Sequence, residues 1–166
     1  MPVVSISAEH NALHRARAYS VTQILPNLAV GAVSYIELIT PSTCIVATQG
    51  YNIMTDGLIK SEFFEAPTVT NGTTQIPIVQ RKRSELVPAN TIIYSNPTAV
   101  SGGTLLRTLV FGEVEGLGVT MRPLYPTGAD AMGFNLKPLT KYVVKLTNIG
   151  SITTTVLFLN WDIYEV

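Results

Sequence analysis

His10 and His14 stand four residues apart, a spacing that puts two side chains on one face of a helix. In zinc enzymes the same spacing occurs as His-Glu-x-x-His, with the glutamate acting as base. Here the run is His10-Asn-Ala-Leu-His14. It lacks that glutamate and has no obvious third ligand, so contact or packing is expected of these histidines rather than metal binding. A Ser-His-Asp device would need one of them beside a carboxylate, yet none of the eleven acids lies in a nucleophile motif. Glu113 and Glu115 would point to one side of a strand, whereas a glycosidase sets two carboxylates across a cleft. A solvated edge is the expectation there. Gln80-Arg-Lys-Arg-Ser-Glu85 is the one basic cluster. The chain is neutral and the cluster has no interleaved aromatics. A solvated loop or a salt bridge between subunits is expected, not phosphate contact. Cys44 is the only cysteine, so no internal disulfide can form. It lies in the apolar run Thr43-Cys-Ile-Val-Ala47 without basic neighbours, which reads as a small buried hydrophobe rather than a reactive thiol. The glycines at 102–103, 116 and 118 read as turns, not as a phosphate-binding loop. The residues therefore point to no catalytic, cofactor or metal site, and to no enzyme.

The elements that carry these residues read as strands. Thr, Val and Ile supply 51 of 166 residues, and their stiff side chains suit a pleated surface. Ten prolines and twelve glycines punctuate the chain. One all-β domain with many short strands is expected, an antiparallel β-sandwich of jelly-roll type. Strands are predicted over 19–25, 30–39, 44–49, 58–65, 73–80 (broken at Pro77), 91–95 and 105–111. The segment 112–127 reads as a loop with one short strand. The two final runs, 133–148 and 153–166, read as a long terminal hairpin closed at Asn148-Ile-Gly-Ser151. Tyr142, Val144 and Leu146 share one apolar face; Leu157, Leu159, Trp161 and Ile163 form another. Tyr35, Tyr142 and Trp161 fall on expected core faces, with Tyr51, Tyr94 and Tyr125 in loops.

Residues 1–18 differ from the sandwich domain at 19–166. They open on Met1-Pro-Val-Val-Ser-Ile-Ser7, a short extended piece, and then show no β-pattern. They read as an N-terminal arm ordered by a neighbour, with His10, His14, Arg15 and Arg17 as its partner-binding residues. Only 13% of residues are charged, against roughly 25% in an average soluble domain. Much of the surface is therefore expected to be covered by other copies or another protein. The other face of the last strand, with Phe158, Asn160, Asp162 and Tyr164, is the expected oligomer interface. No apolar run approaches the roughly 18–20 residues of a membrane span, and no signal peptide is expected at the N-terminus.

The chain resembles the short decoration, cement or auxiliary capsid proteins of tailed bacteriophages. The likeness runs from the start His10-Asn-Ala-Leu-His-Arg-Ala-Arg-Ala-Tyr19 through Ala32-Val-Ser-Tyr-Ile-Glu-Leu-Ile39 and Phe64-Glu-Ala-Pro-Thr-Val-Thr-Asn-Gly-Thr73. It continues at Ser95-Asn-Pro-Thr-Ala-Val-Ser-Gly-Gly-Thr-Leu105, at Leu136-Lys-Pro-Leu-Thr-Lys-Tyr142 and at Leu146-Thr-Asn148, and closes near Trp161 and Tyr164-Glu165. The stretch Tyr125-Pro-Thr-Gly-Ala-Asp-Ala-Met-Gly133 is shorter and less glycine-rich than that pattern. The resemblance implies a β-sandwich subunit, often trimeric, assembled in the host cytoplasm. It would bind the major capsid protein on the capsid's outer surface, with no cofactor, nucleic acid or membrane. A tail or fibre-base component and a carbohydrate-binding module are the alternative readings.

Overall fold

A computed structural model describes residues 15–25, 27–114, 119–121 and 133–166. Fourteen strands follow in order: β1 (Ala18–Ile24), β2 (Val33–Ile39), β3 (Val46–Thr55), β4 (Ile59–Glu65), β5 (Thr68–Thr70), β6 (Thr74–Gln75), β7 (Ile78–Gln80), β8 (Ile92–Ser95), β9 (Thr98–Ser101), β10 (Thr104–Val114), β11 (Val119–Met121), β12 (Phe134–Leu136), β13 (Lys141–Asn148) and β14 (Leu157–Glu165). They form a five-stranded sheet, β12-β3-β14-β1-β7, and a seven-stranded sheet, β11-β10-β4-β13-β2-β8-β6, with β5 and β9 as a separate pair. All the pairings are antiparallel. One apolar core joins the two sheets. The all-β sandwich expected from composition is the fold observed.

The expected terminal hairpin is not formed. β13 lies between β4 and β2 in one sheet, and β14 between β3 and β1 in the other. Paired edge to edge, their two apolar faces would lie in one layer and both need a cover. In opposite sheets they cover each other. The link 149–156 is thus an arch between layers. Asn148 braces it: its side chain donates to the carbonyls of Leu28 and Ile152, each at 2.8 Å, and accepts from the Gly150 amide at 2.9 Å. Thr154 adds a bridge to Leu28. Asn148→Ala removes three bonds at a fully buried position. An unsatisfied buried group costs ~1–3 kcal/mol, so the urea midpoint should fall by the equivalent of about 2 kcal/mol with an unchanged m-value.

Pro77 also means more than the broken strand read from the sequence. β6 pairs with β8 in the seven-stranded sheet, and β7 pairs with β1 in the five-stranded one. Proline has no N–H for either ladder and stands where the chain crosses between them. Three tyrosines need correction. Tyr94 is not in a loop; it lies in β8, opposite Glu37 of β2. Tyr51 is not in a loop; it lies in β3, buried in the core beside Trp161 and Phe63. Tyr35 is half-buried and shares the parity of Glu37, on the outer side of the seven-stranded sheet, while Ile36 and Leu38 face the core. β10 runs through the expected loop start at Gly112, where φ is +100° and a Cβ would sit 1.8 Å from the Gly57 carbonyl oxygen. Only glycine fits there.

The Leu136–Tyr142 motif forms a locked corner. The Tyr142 hydroxyl accepts from the Lys137 amide at 2.8 Å and donates to Glu65 Oε2 at 3.0 Å. Burial pushes the Tyr142 phenol up to about 12, so it stays a donor at every physiological pH. Thr40 Oγ1 donates to the Lys137 carbonyl at 2.7 Å and accepts from the Thr140 amide at 2.9 Å.

Candidate docking face

The two sheets differ in what lies on their outer sides. On the seven-stranded sheet, Glu37 is fully buried, accepts from the Gly72 amide at 3.4 Å and pairs with Lys141 at 3.3 Å. Lys141 also reaches the Val69 carbonyl at 3.2 Å and the Asn71 side chain. The segment leading out of β5 is thereby tied down over this side. Glu62 binds Lys60 and Lys145 on the same sheet, each within 3.3 Å. Although burial opposes it, these two lysines hold the Glu62 carboxyl below its ordinary range.

The five-stranded sheet has an open outer side. Register aligns it in rows across β3, β14 and β1: Met54–Phe158–Ile24, then Asn52–Asn160–Thr22, then Asp162–Ser20, with Val79 of β7 beside Ser20. Met54 is 60% and Ile24 59% exposed, and Phe158 half-buried between them. Thr22 Oγ1 donates to Asn160 Oδ1 at 2.9 Å. Among these residues Asp162 is the one charge, with Arg81 4.0 Å away. The result is an open side with an apolar row at one end and neutral hydrogen-bonding groups beside it.

Of the expected interface residues, Phe158, Asn160 and Asp162 lie on this open side. Tyr164 does not serve there. It shares their parity, but it is 3% exposed, packs with Ala18 and Ala47, and receives a hydrogen bond from Arg81 at 3.1 Å. Its burial makes it part of the subunit's own packing. Ile24 and Met54 were missed, because only the cross-strand register sets them beside Phe158.

His10 and His14 lie outside the described residues. Arg15 and Arg17 are exposed at the root of the arm. That root is already built into the sheet: the Glu165 amide donates to the Arg17 carbonyl at 3.0 Å, and Ala16 and Ala18 are fully buried. Within the basic cluster, Arg81 turns to Tyr164 and Lys82 pairs with Glu85 at 2.6 Å. Cys44 is half-buried and lies just before β3, not in a strand. Burial, and then the nearby Glu165 carboxylate, push its thiol up, away from a reactive thiolate. Among the described residues no three His, Cys, Asp or Glu side chains gather to hold a metal ion. Glu113 continues β10, and Glu115 and Tyr125 lie outside the described residues. Comparison with protein-family models, with curated proteins and with solved structures finds no match to this chain.

Proposed function

We propose that this chain is a structural virion protein that decorates and stabilises the outer surface of a bacteriophage capsid, bound to the major capsid protein as a homo-oligomer, a trimer by the resemblance. The observation that carries this reading is the open, nearly uncharged side of the five-stranded sheet. A sheet face built on three paired strands, with Ile24, Phe158 and Met54 in one apolar row, suits a protein surface. Interface cores are depleted in charge and enriched in aromatic residues and Met. The low charge of the whole chain supports the same reading. Arg15 and Arg17 at the arm root add forked donors suited to carboxylates on the capsid protein.

Ile24→Asp with Phe158→Asp tests it. Both side chains are on the outer side, so the fold should persist by circular dichroism. Two desolvated, unpaired carboxylates in an interface cost several kcal/mol, so co-sedimentation with undecorated capsids should fall at least about a hundredfold in affinity. Light scattering on the same variant reports whether this side also joins copies of the chain. A variant that keeps both its oligomeric mass and its capsid binding removes the reading. Labelling on intact particles separates capsid from tail: the capsid reading requires copies across the whole lattice.

A further inference from the structure

A buried acid, a lysine and a carboxamide meet on the outer side of the seven-stranded sheet. Register sets Val143 of β13 opposite Glu37 of β2. Lys141, two residues before Val143, is therefore the diagonal neighbour of Glu37 on the same side. Glu37 is fully buried. Its Oε1 has no hydrogen bond among the described residues and faces Lys141 Nζ at 3.3 Å. Its Oε2 accepts from the Gly72 amide at 3.4 Å. Lys141 Nζ donates to the Val69 carbonyl at 3.2 Å and, in close contact, to Asn71 Oδ1. The carboxamide carbon of Asn71 is one bond beyond that oxygen.

Both sides of this contact are held in place. Lys141 belongs to β13, which lies between β2 and β4. On the other side, a Cβ on Gly72 would sit 2.0 Å from the Ser95 carbonyl oxygen, so the chain just after Asn71 lies directly on β8. An ion pair alone needs only Glu37 and Lys141. Here a carboxamide is laid on the lysine as well. The cluster thus contains an amine nucleophile, a carboxylate within reach of its proton, and an acyl group to attack. Reactants fixed in contact need no further ordering to react.

We propose that Lys141 and Asn71 join through an isopeptide bond, with Glu37 as the proton carrier. Glu37 Oε1 takes a proton from the Lys141 ammonium and leaves an amine with a free electron pair. That pair attacks Asn71 Cγ and forms the new C–N bond, while the carbonyl π pair moves onto Oδ1. The tetrahedral centre then collapses, the carbonyl re-forms and the Cγ–Nδ2 bond breaks. In all, Lys141 Nζ gives up two protons through Glu37, both leave on Nδ2, and ammonium departs. No oxidant or other reactant is consumed, and Glu37 ends as the carboxylate it began as. The bond closes a span of 70 residues and pins the segment leading out of β5 to the middle of the sheet. Such a cross-link stabilises a fold chiefly by restricting the unfolded chain. It is independent of the docking reading and stands whether or not the chain binds capsids.

Mass spectrometry of the full chain tests the proposal. The intact mass should be lower than the sequence mass by one ammonia. A tryptic digest should contain fragment 61–81 joined to fragment 123–145, because trypsin does not cut at an acylated Lys141 or at Lys137 before Pro138. Lys141→Arg keeps a cation facing Glu37, and Asn71→Ala removes the acyl group from an exposed position. Both should fold by circular dichroism and show the full sequence mass. Glu37→Gln should form the link at least about a hundredfold more slowly, the usual loss when a positioned proton carrier is removed. A parent chain at its full mass overturns the proposal. So does ammonia loss without the joined fragments, which would indicate ring closure by the Gly72 amide on Asn71 instead. Linkage that persists in Asn71→Ala, or that forms at the parent rate in Glu37→Gln, overturns the roles given to those residues.

Discussion

Replacing Trp161 with alanine lowers the stability of the folded chain by about 3–5 kcal/mol, the range for deleting a buried indole and leaving a cavity. Trp161 is 1% exposed. Its ring meets Tyr51 at 5.7 Å and Phe63 at 5.9 Å, both edge to face. Tyr51 is on the same sheet and Phe63 on the opposite one, so the indole joins the layers. Its Nε1 donates to Thr48 Oγ1 at 2.6 Å, and that hydroxyl donates to the Asp162 carbonyl at 3.1 Å. Truncation therefore opens the core and removes the Nε1 bond to a buried hydroxyl. A whole domain has only ~5–15 kcal/mol of net stability, so this single change removes a large share of it. Trp161→Phe keeps an aromatic ring in the core but loses the Nε1 bond and part of the indole's volume, and should cost less than the alanine, roughly 1–3 kcal/mol. Urea titration followed by far-UV circular dichroism measures both, since the only tryptophan is removed as a fluorescent reporter. A W161A midpoint equal to that of the parent chain would mean that this face of β14 is not the core.

The sequence carried the faces of the strands but not their neighbours. Alternation along 157–163 marks which side of β14 is dry, because that is a local, period-two property. It does not say which strand lies alongside. The hairpin expectation failed at that step: two adjacent apolar runs satisfy each other equally well across a core and within a layer. The eight-residue arch, with Asn148 fully buried and bonding Leu28 across 120 residues of chain, made the choice. Tyr51 was misread for a related reason. Gly50 and Asn52 flank it and suggest a turn. In the fold the register between β3 and β14 shifts between Trp161 and Ile163. β3 absorbs the extra residue and continues as a strand.

The docking side was half legible. Phe158, Asn160 and Asp162 follow from parity alone. Tyr164 has the same parity but is covered, because Arg81 comes to it from a loop 83 residues away in sequence. Ile24 and Met54 join Phe158 through pairings that span more than a hundred residues. Nothing local to either residue reports those partners. The arm boundary shifts for a similar reason. Ala18 pairs with Tyr164 as the first residue of β1, so a truncation that spares the fold should stop before Arg15.

Replacing Glu165 with alanine should cost about 3 kcal/mol and act mainly on the loop 81–91. Glu165 is 1% exposed although it is the penultimate residue. Its Oε1 accepts from the amides of Asn90 and Thr91, each at 2.7 Å, and from Thr91 Oγ1 at 2.9 Å; Oε2 accepts from Asn90 Nδ2 at 2.9 Å. The carboxylate thus fastens the far end of a loop that has no strand of its own. Bonds to a charged acceptor contribute ~1.5–3 kcal/mol each, and a buried donor left unpaired costs ~1–3 kcal/mol. The four bonds share one side chain, so their contributions do not add. Glu165→Gln separates the bonds from the charge. A glutamine carbonyl can take the place of Oε1, and its amide can meet the Asn90 side chain once that amide rotates to offer oxygen. E165Q should therefore recover most of the loss. Limited trypsin digestion gives the local readout: cleavage after Arg81, Lys82 or Arg83 should quicken in E165A under conditions where the variant remains folded, and return nearly to the parent rate in E165Q. If E165Q loosens the loop as much as E165A, the negative charge rather than the bonding geometry holds it. If E165A cleaves at the parent rate, the loop is fastened elsewhere, by the Val87 amide on Gln80 Oε1 at 2.9 Å and the Tyr19 hydroxyl on the Pro88 carbonyl at 3.4 Å.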